Sequence, residues 1–204
     1  MNKIIILSML ILISTIFAPK PISAAGGVYI GGGYNMRTIF FNSAQLGEDL
    51  KAQEKIEAQS FNFFAGYKFN AHFRSDIQYI SVNETLLKEV SVSQRYNYKA
   101  SAIFANLLYD FFDISYTKIS PFIGAGIGIA SPSIVRIVGE EESSYNSSGF
   151  SYQFQGGLNI LFFDLIILTL KYSYISFPPI PFNNISNNFE GQAHSFGIGI
   201  SLLV

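Results

Sequence analysis

The chain has 204 residues, of which 49% are hydrophobic and 13% are charged, and its formal net charge is −1 at pH 7. Because soluble domains carry about 25% charged residues, this composition is typical of a protein with a lipid-facing exterior. The near-zero charge offers no electrostatic basis for a nucleic-acid partner, and the absence of cysteine excludes disulfides and thiolate metal sites.

The first 25 residues have the three parts of a secretory signal peptide. Lys3 supplies a positive charge, residues 4–17 form a mostly apolar core, and small residues occupy positions 23–25. We predict cleavage after Ala25, which leaves one domain, residues 26–204. An anchor helix is disfavoured because the apolar core is shorter than the roughly 20 residues that a membrane span needs. No cysteine follows the core, which excludes a lipid-anchored lipoprotein.

Eight segments of the mature chain alternate apolar and polar residues with the two-residue period of a β-strand. In the clearest of them, Phe150–Ile160, Tyr152 and Phe154 alternate with Gln153 and Gln155. The alternation predicts an all-β fold, an eight-stranded antiparallel transmembrane up-and-down β-barrel that is apolar toward lipid and polar toward the lumen. The predicted strands are Val28–Ile39, Gln59–Phe69, His72–Val82, Tyr98–Phe111, Ile119–Ala130, Phe150–Ile160, Ile166–Ser176 and Ala193–Val204.

The segments between the predicted strands alternate between long and short. This pattern matches the long external loops and short periplasmic turns of outer-membrane barrels, and it predicts four long external loops. The predicted long loops are Phe41–Ala58, Asn83–Asn97, Ser131–Ser148 and Phe177–Gln192. The predicted short turns are Asn70-Ala71, Phe112–Lys118 and Phe162–Leu165.

Five charged residues fall on the inward faces of the predicted strands. An eight-stranded barrel has an interior just wide enough for its side chains, and an unpaired charge in a low-dielectric interior is strongly destabilising. We therefore predict an Arg/Lys–Asp network that fills the lumen; the alternative is a selectivity filter. The five residues are Lys68, Arg74, Asp76, Asp110 and Lys171.

Four segments of the chain resemble the small outer-membrane β-barrels, which include opacity-type proteins, the OmpA transmembrane domain and rickettsial-type surface antigens. The resemblance covers nearly the whole mature chain. It implies insertion into the bacterial outer membrane by the barrel assembly machinery, and surface loops used in adhesion or immune exposure. Members commonly end in an aromatic residue that this machinery reads, whereas this chain ends in Val204. The four segments are Phe73–Tyr79, Ala105–Phe111, Pro121–Gly128 and His194–Phe196.

These patterns predict an outer-membrane surface protein, structural or adhesin-like, whose loops contact a host-cell or other extracellular molecule. The alternative is a small porin that conducts ions or small solutes. In the fourth long loop, which is apolar and rich in proline, we expect Ile180 and Phe182 to contact the partner.

No enzymatic site, metal site or cofactor is expected. His194 and Ser195 are adjacent in a predicted strand and point to opposite faces, so they cannot act together as base and nucleophile. The loop glutamates match no calcium-loop spacing.

Overall fold

The structure, a computed structural model, describes residues 26–41, 55–91, 94–138, 141–181, 188–189 and 191–204. The predicted signal peptide and most of the first predicted loop lie outside these ranges. One short helix, α1, spans Ile114–Thr117. The strands are β1 Gly27–Phe41, β2 Lys55–Lys68, β3 Phe73–Ser91, β4 Gln94–Asp110, β5 Ile119–Val138, β6 Glu141–Asn146, β7 Gly149–Phe162, β8 Ile166–Ser176, β9 Ile180–Pro181, β10 Asn188–Phe189 and β11 Gly191–Leu203.

Eight of these strands close into one antiparallel barrel. They pair around the circle in the order β1, β2, β3, β4, β5, β7, β8 and β11, and β11 pairs with β1. Closure gives every spanning strand a neighbour on both sides, which satisfies the backbone hydrogen bonds that lipid cannot satisfy. The predicted eight-stranded antiparallel barrel is confirmed. Within the described residues, no helix is long and apolar enough to cross a bilayer.

The outer wall of the barrel is apolar and the spanning part of its interior is mainly polar, as the alternation predicted. On β7, Phe150 and Phe154 are 67% and 56% exposed, whereas Ser151 and Gln153 are each 1% exposed. Apolar side chains this exposed face lipid in a transmembrane barrel. Apolar side chains are also exposed on the outer faces of other strands, where Phe63, Ile103, Ile127 and Phe196 lie.

Three short connections and both ends of the barrel chain lie at one end of the barrel, which we call the turn end. Phe163 and Asp164 have positive φ angles, 52° and 57°, as the tight turn between β7 and β8 requires. Between β2 and β3, Asn70 Oδ1 accepts hydrogen bonds from the backbone N–H groups of His72 and Phe73. The third connection contains α1. The three predicted short turns are thus confirmed.

The opposite end, the loop end, differs from the prediction in two places. The second predicted loop is largely strand, because β3 continues to Ser91 and β4 begins at Gln94. The third predicted loop is also largely strand, because β5 continues to Val138 and pairs with β6. Hairpins beyond the membrane have no lipid face, so their sequences lack the apolar–polar alternation that marks the spanning strands.

Candidate functional site: the barrel lumen

Inward-facing side chains fill the lumen in three layers. An ionic layer lies nearest the turn end, an amide layer follows, and an apolar layer occupies the loop end. Each layer draws residues from several strands, because successive inward positions on a strand lie two residues apart. The layers decide what the lumen can conduct or bind.

The ionic layer is built around an ion pair between neighbouring strands. Arg74 Nε on β3 donates to Asp110 Oδ2 on β4 at 3.1 Å, and their side chains are 13% and 6% exposed. Asp110 also accepts from Asn159 Nδ2 at 3.2 Å, and Asn159 Oδ1 accepts from Thr169 Oγ1 at 2.8 Å. The carboxylate of Asp110 therefore connects strands β3, β4, β7 and β8 across the turn end of the lumen.

Three further contacts hold the cations of this layer. The Arg74 guanidinium lies 5.5 Å from the ring centre of Tyr29 and 5.0 Å from that of Phe122, within cation–π range. Lys68 Nζ lies 3.9 Å from Asp113 Oδ1. Asp113 is the N-cap of α1, where its side chain accepts from Ser115 N. The short helix thus places a carboxylate at the mouth of the lumen.

The amide layer is a chain of hydrogen bonds across the barrel. Asn106 Nδ2 donates to Asp76 Oδ1 at 2.6 Å, and Tyr29 Oη donates to Asp76 Oδ2 at 2.9 Å. From β7, Gln153 Nε2 donates to Gln78 Oε1 at 2.9 Å and to Asn106 Oδ1 at 2.5 Å. Asp76, Gln78, Asn106 and Gln153 are all at most 8% exposed. The Asp76 carboxylate thus accepts hydrogen bonds from two neutral side chains, Tyr29 and Asn106.

A glycine makes this chain possible. Gly126 on β5 pairs with Asn106 on β4 and with Gln153 on β7. A Cβ atom at Gly126 would overlap Asn106 Oδ1. Because Gly126 has no side chain, the amides of Asn106 on β4 and Gln153 on β7 can form a hydrogen bond across β5. Sequence reasoning missed this role of Gly126, because the contact that it permits depends on the register of three strands.

The apolar layer closes the loop end of the lumen. It departs from the predicted polar interior. The sequence signal is a loss of alternation on β4, where residues 102–105 are apolar on both faces. The buried cluster consists of Ile39, Ile56, Ala58, Ile80, Val82, Tyr98, Ala100, Ala102, Phe104, Ala130, Ile134, Ile175, Phe177, Ile180 and Ala193, with Tyr145 packed against it.

Of the two residues proposed for partner contact, Ile180 lies in a different position from that expected. Ile180 is 1% exposed and belongs to the apolar layer, so it is not a surface contact. Phe182 lies outside the described residues. The physical reason is that the apolar start of the fourth loop, including Phe177, folds into the barrel mouth instead of remaining in water.

Two lumen cations stand apart from the ion pair. Lys171 on β8 lines the same cavity as Arg74, and among the described residues no carboxylate lies within 4.0 Å of its Nζ. Arg37 on β1 is 2% exposed, and its Nε donates to Ser60 Oγ at 2.7 Å. Sequence reasoning missed Arg37, although its odd-numbered position on β1 shares the inward face of Tyr29.

His194 and Ser195 lie on opposite faces of β11, as predicted. His194 is on the outer wall, where its Nδ1 bonds to the Tyr172 hydroxyl and its ring contacts Phe40. Ser195 is 1% exposed inside the barrel, where its hydroxyl bonds to that of Ser173 at 2.7 Å. Among the described residues, no group of three or more His, Cys, Asp or Glu side chains is placed to hold a metal ion.

A closed antiparallel barrel with an apolar wall and a polar, charged lumen defines a transmembrane barrel of the bacterial outer membrane. The profile of the family described as "Outer membrane protein beta-barrel domain" matches residues 8–202, and the chain belongs to this family. Its apolar wall accordingly lies in the lipid of the bacterial outer membrane.

Solved structures of small outer-membrane barrels resemble this fold. Neisserial surface protein A is 15% identical, with a TM-score of 0.65, and 88% of this chain covers 99% of that chain. Ail, the attachment invasion locus protein of Yersinia pestis, is 14% identical, with a TM-score of 0.55 and coverage of 88% and 99%. AlkL is 13% identical, with a TM-score of 0.51 and coverage of 92% and 95%. No curated protein matches the sequence.

Proposed function

We propose that the protein is a non-conducting surface barrel whose loop end contacts an extracellular or host-cell molecule. On this proposal it has no enzymatic activity, requires no cofactor, binds no nucleic acid, and is inserted by the barrel assembly machinery. The observation that carries the proposal is the filled lumen. Similarity of fold to an attachment and invasion protein supports the adhesin-like part.

We infer from the described residues that the three layers block a water-filled path for an ion. Tyr98 and Phe104, two of the largest side chains of the apolar layer, are 1% and 0% exposed. Below them, the cavity beside the ionic layer has a volume of about 50 Å³. An ion crossing the barrel would have to leave its hydration shell within the apolar layer, which is strongly unfavourable. A conducting porin needs a continuous aqueous channel instead.

The segments of the sequence that alternate with the short turns are acidic overall. Every glutamate of the sequence lies in residues 42–58, 83–99, 134–146 or 182–190, the segments that alternate with the short turns along the chain. These four segments contain ten acidic and six basic residues, a net charge of −4. Glu57, Glu84, Glu141 and Glu142 are exposed. Because complementary charge favours encounter, a partner with a cationic surface fits this end. The heparin analogue in a complex of Ail is, by contrast, a polyanion.

Planar-bilayer recording tests whether the lumen is closed. We expect no steady single-channel current from the purified barrel, because the apolar layer contains no hydrated path. A steady current would support the alternative, a small porin, and would contradict the proposal.

Charge reversal in the β5–β6 hairpin tests the surface contact. We expect Glu141→Lys with Glu142→Lys to reduce attachment of expressing cells to host cells, and the reduction to weaken with added salt. The matched control is Glu141→Asp with Glu142→Asp, which retains both charges. Heat-modifiable gel mobility shows that each variant is folded. Equal attachment by the lysine variant and the wild type would contradict the proposal that this hairpin contacts the partner.

A further inference from the structure

We propose that the lumen contains a binding site for one small monovalent anion, such as chloride, beside Lys171. This inference does not depend on the surface contact proposed above. It rests on a cavity, on an excess of positive charge and on buried donors that have no partner.

The cavity lies against a bare part of the lumen wall. In one row of the barrel, Asn62 on β2 is followed by Gly33 on β1, Gly199 on β11 and Thr169 on β8. Gly199 of this row lines the cavity together with Asn62 and Thr169. The cavity has a volume of about 50 Å³ and is also lined by Arg74 and Lys171. A water molecule needs roughly 10–15 Å³ of such volume, so a small ion and some waters fit together.

The charges that face the lumen do not balance. The cations are Arg37, Lys68, Arg74 and Lys171, whereas the anions are Asp76, Asp110 and the N-cap residue Asp113. Arg74 pairs with Asp110, and Lys68 lies near Asp113, which leaves two cations and Asp76. Within the part of the chain that the structure describes, one positive charge therefore remains without a counterpart. An uncompensated charge in a protein interior is expensive, so a counterion is favoured.

Buried donors that lack a protein partner point to the position of this counterion. Asn62 is 1% exposed, and its Nδ2 and Oδ1 have no hydrogen-bond partner. Arg74 Nη2 is likewise buried without a partner. Asn62, Arg74 and Lys171 all line the cavity, so one acceptor there can receive hydrogen bonds from several of them. Water can also accept these bonds, but only an anion neutralises the remaining charge.

Urea unfolding of the full barrel in micelles tests the proposal in solution. Sodium chloride is compared with sodium gluconate at equal ionic strength, because gluconate is too large for the cavity. A ligand that binds the folded state stabilises it, so we expect the wild type to unfold at higher urea in chloride. Lys171→Met should abolish this difference. In gluconate the variant should unfold at higher urea than the wild type, because it has no stranded charge.

The control variant is Lys99→Met, which removes an exposed lysine on the outer face of β4 and should retain the chloride effect. If Lys171→Met does not fold, Asn62→Leu replaces it and should reduce the chloride effect. The proposal is overturned if the wild type unfolds equally in both salts, or if the chloride effect persists in the variant that folds.

Anomalous scattering gives a direct second test. Barrel refolded and crystallised in sodium bromide should show one anomalous peak in the lumen, beside Lys171 Nζ and Asn62 Nδ2. Refolding in bromide removes any dependence on entry through the closed barrel. Anomalous peaks confined to the surface would overturn the proposal.

Discussion

Arg74 and Asp110 form an ion pair that is buried in the lumen. Asp110 accepts hydrogen bonds from both Arg74 and Asn159, so its removal affects two strands besides its own. Neutralising one partner of such a pair leaves the other charge buried without compensation. The Lys118–Asp164 pair at the turn end has the same chemistry, but its side chains are 52% and 70% exposed.

We expect Asp110→Asn to lower the free energy of unfolding by about 3–5 kcal/mol, because it strands the Arg74 guanidinium. Asp164→Asn is the matched control and should cost only about 0–1 kcal/mol, since water screens that pair. Urea titration of the barrel in micelles measures both. Similar losses in the two variants would show that the lumen pair has no special role.

A second residue-scale prediction concerns Gly126. Gly126→Ala places a methyl group against Asn106 Oδ1 and should break the hydrogen bond between Asn106 and Gln153. Forced overpacking of this kind costs about 1–3 kcal/mol. At Gly156, the nearest atom to a new Cβ is Phe122 O at 3.4 Å, so Gly156→Ala should change stability by less than about 0.5 kcal/mol. Urea unfolding compares the two variants, and equal losses would contradict the role of Gly126.

At the scale of elements, β4 shows how one strand serves two environments. Near the turn end its inward residues include the polar Asn106 and Asp110, with the apolar Leu108 between them, and its outward residues are apolar. Toward the loop end both faces are apolar, because Phe104 and Ala102 face the packed interior while Ile103 faces lipid. The strand therefore crosses from a polar lumen into an apolar core without a break.

We expect Phe104→Ala to destabilise the barrel by about 3–5 kcal/mol, because Phe104 is 0% exposed and its removal leaves a cavity in the apolar layer. Leu107→Ala is the control on the same strand. Leu107 is 57% exposed on the outer wall, where lipid can fill the space, so its loss should be smaller. Unfolding in lipid vesicles measures both. A larger loss for Leu107→Ala would show that the apolar layer is not a packed core.

For the whole molecule, the arrangement of connections predicts which end faces the outside of the cell. We expect an epitope inserted at residues 139–140, between β5 and β6, to bind antibody on intact cells. The same epitope inserted at residues 163–165, between β7 and β8, should bind only after the outer membrane is permeabilised. The reason is that short turns face the periplasm in outer-membrane barrels. The opposite labelling pattern would reverse the proposed orientation and exclude the surface contact.

The sequence by itself determined the eight spanning strands, their lipid and lumen faces, and most of the charged residues inside the barrel, although Arg37 was missed. These properties are local, because alternation with a period of two assigns each side chain to a face without reference to distant residues. The hairpins beyond the membrane were missed, since they have no lipid face to produce the same pattern.

Only the tertiary structure decided which residues meet across the lumen. The contact of Asn106 with Gln153 over Gly126 depends on the register of three strands, which closure of the barrel sets. Among the described residues, closure likewise leaves Lys171 without a carboxylate within 4.0 Å and draws Ile180 into the apolar layer. The alternation of apolar and polar residues predicts that a side chain points inward. Its position along the barrel axis, and therefore which side chains it meets, follows from the register of all the strands around the barrel.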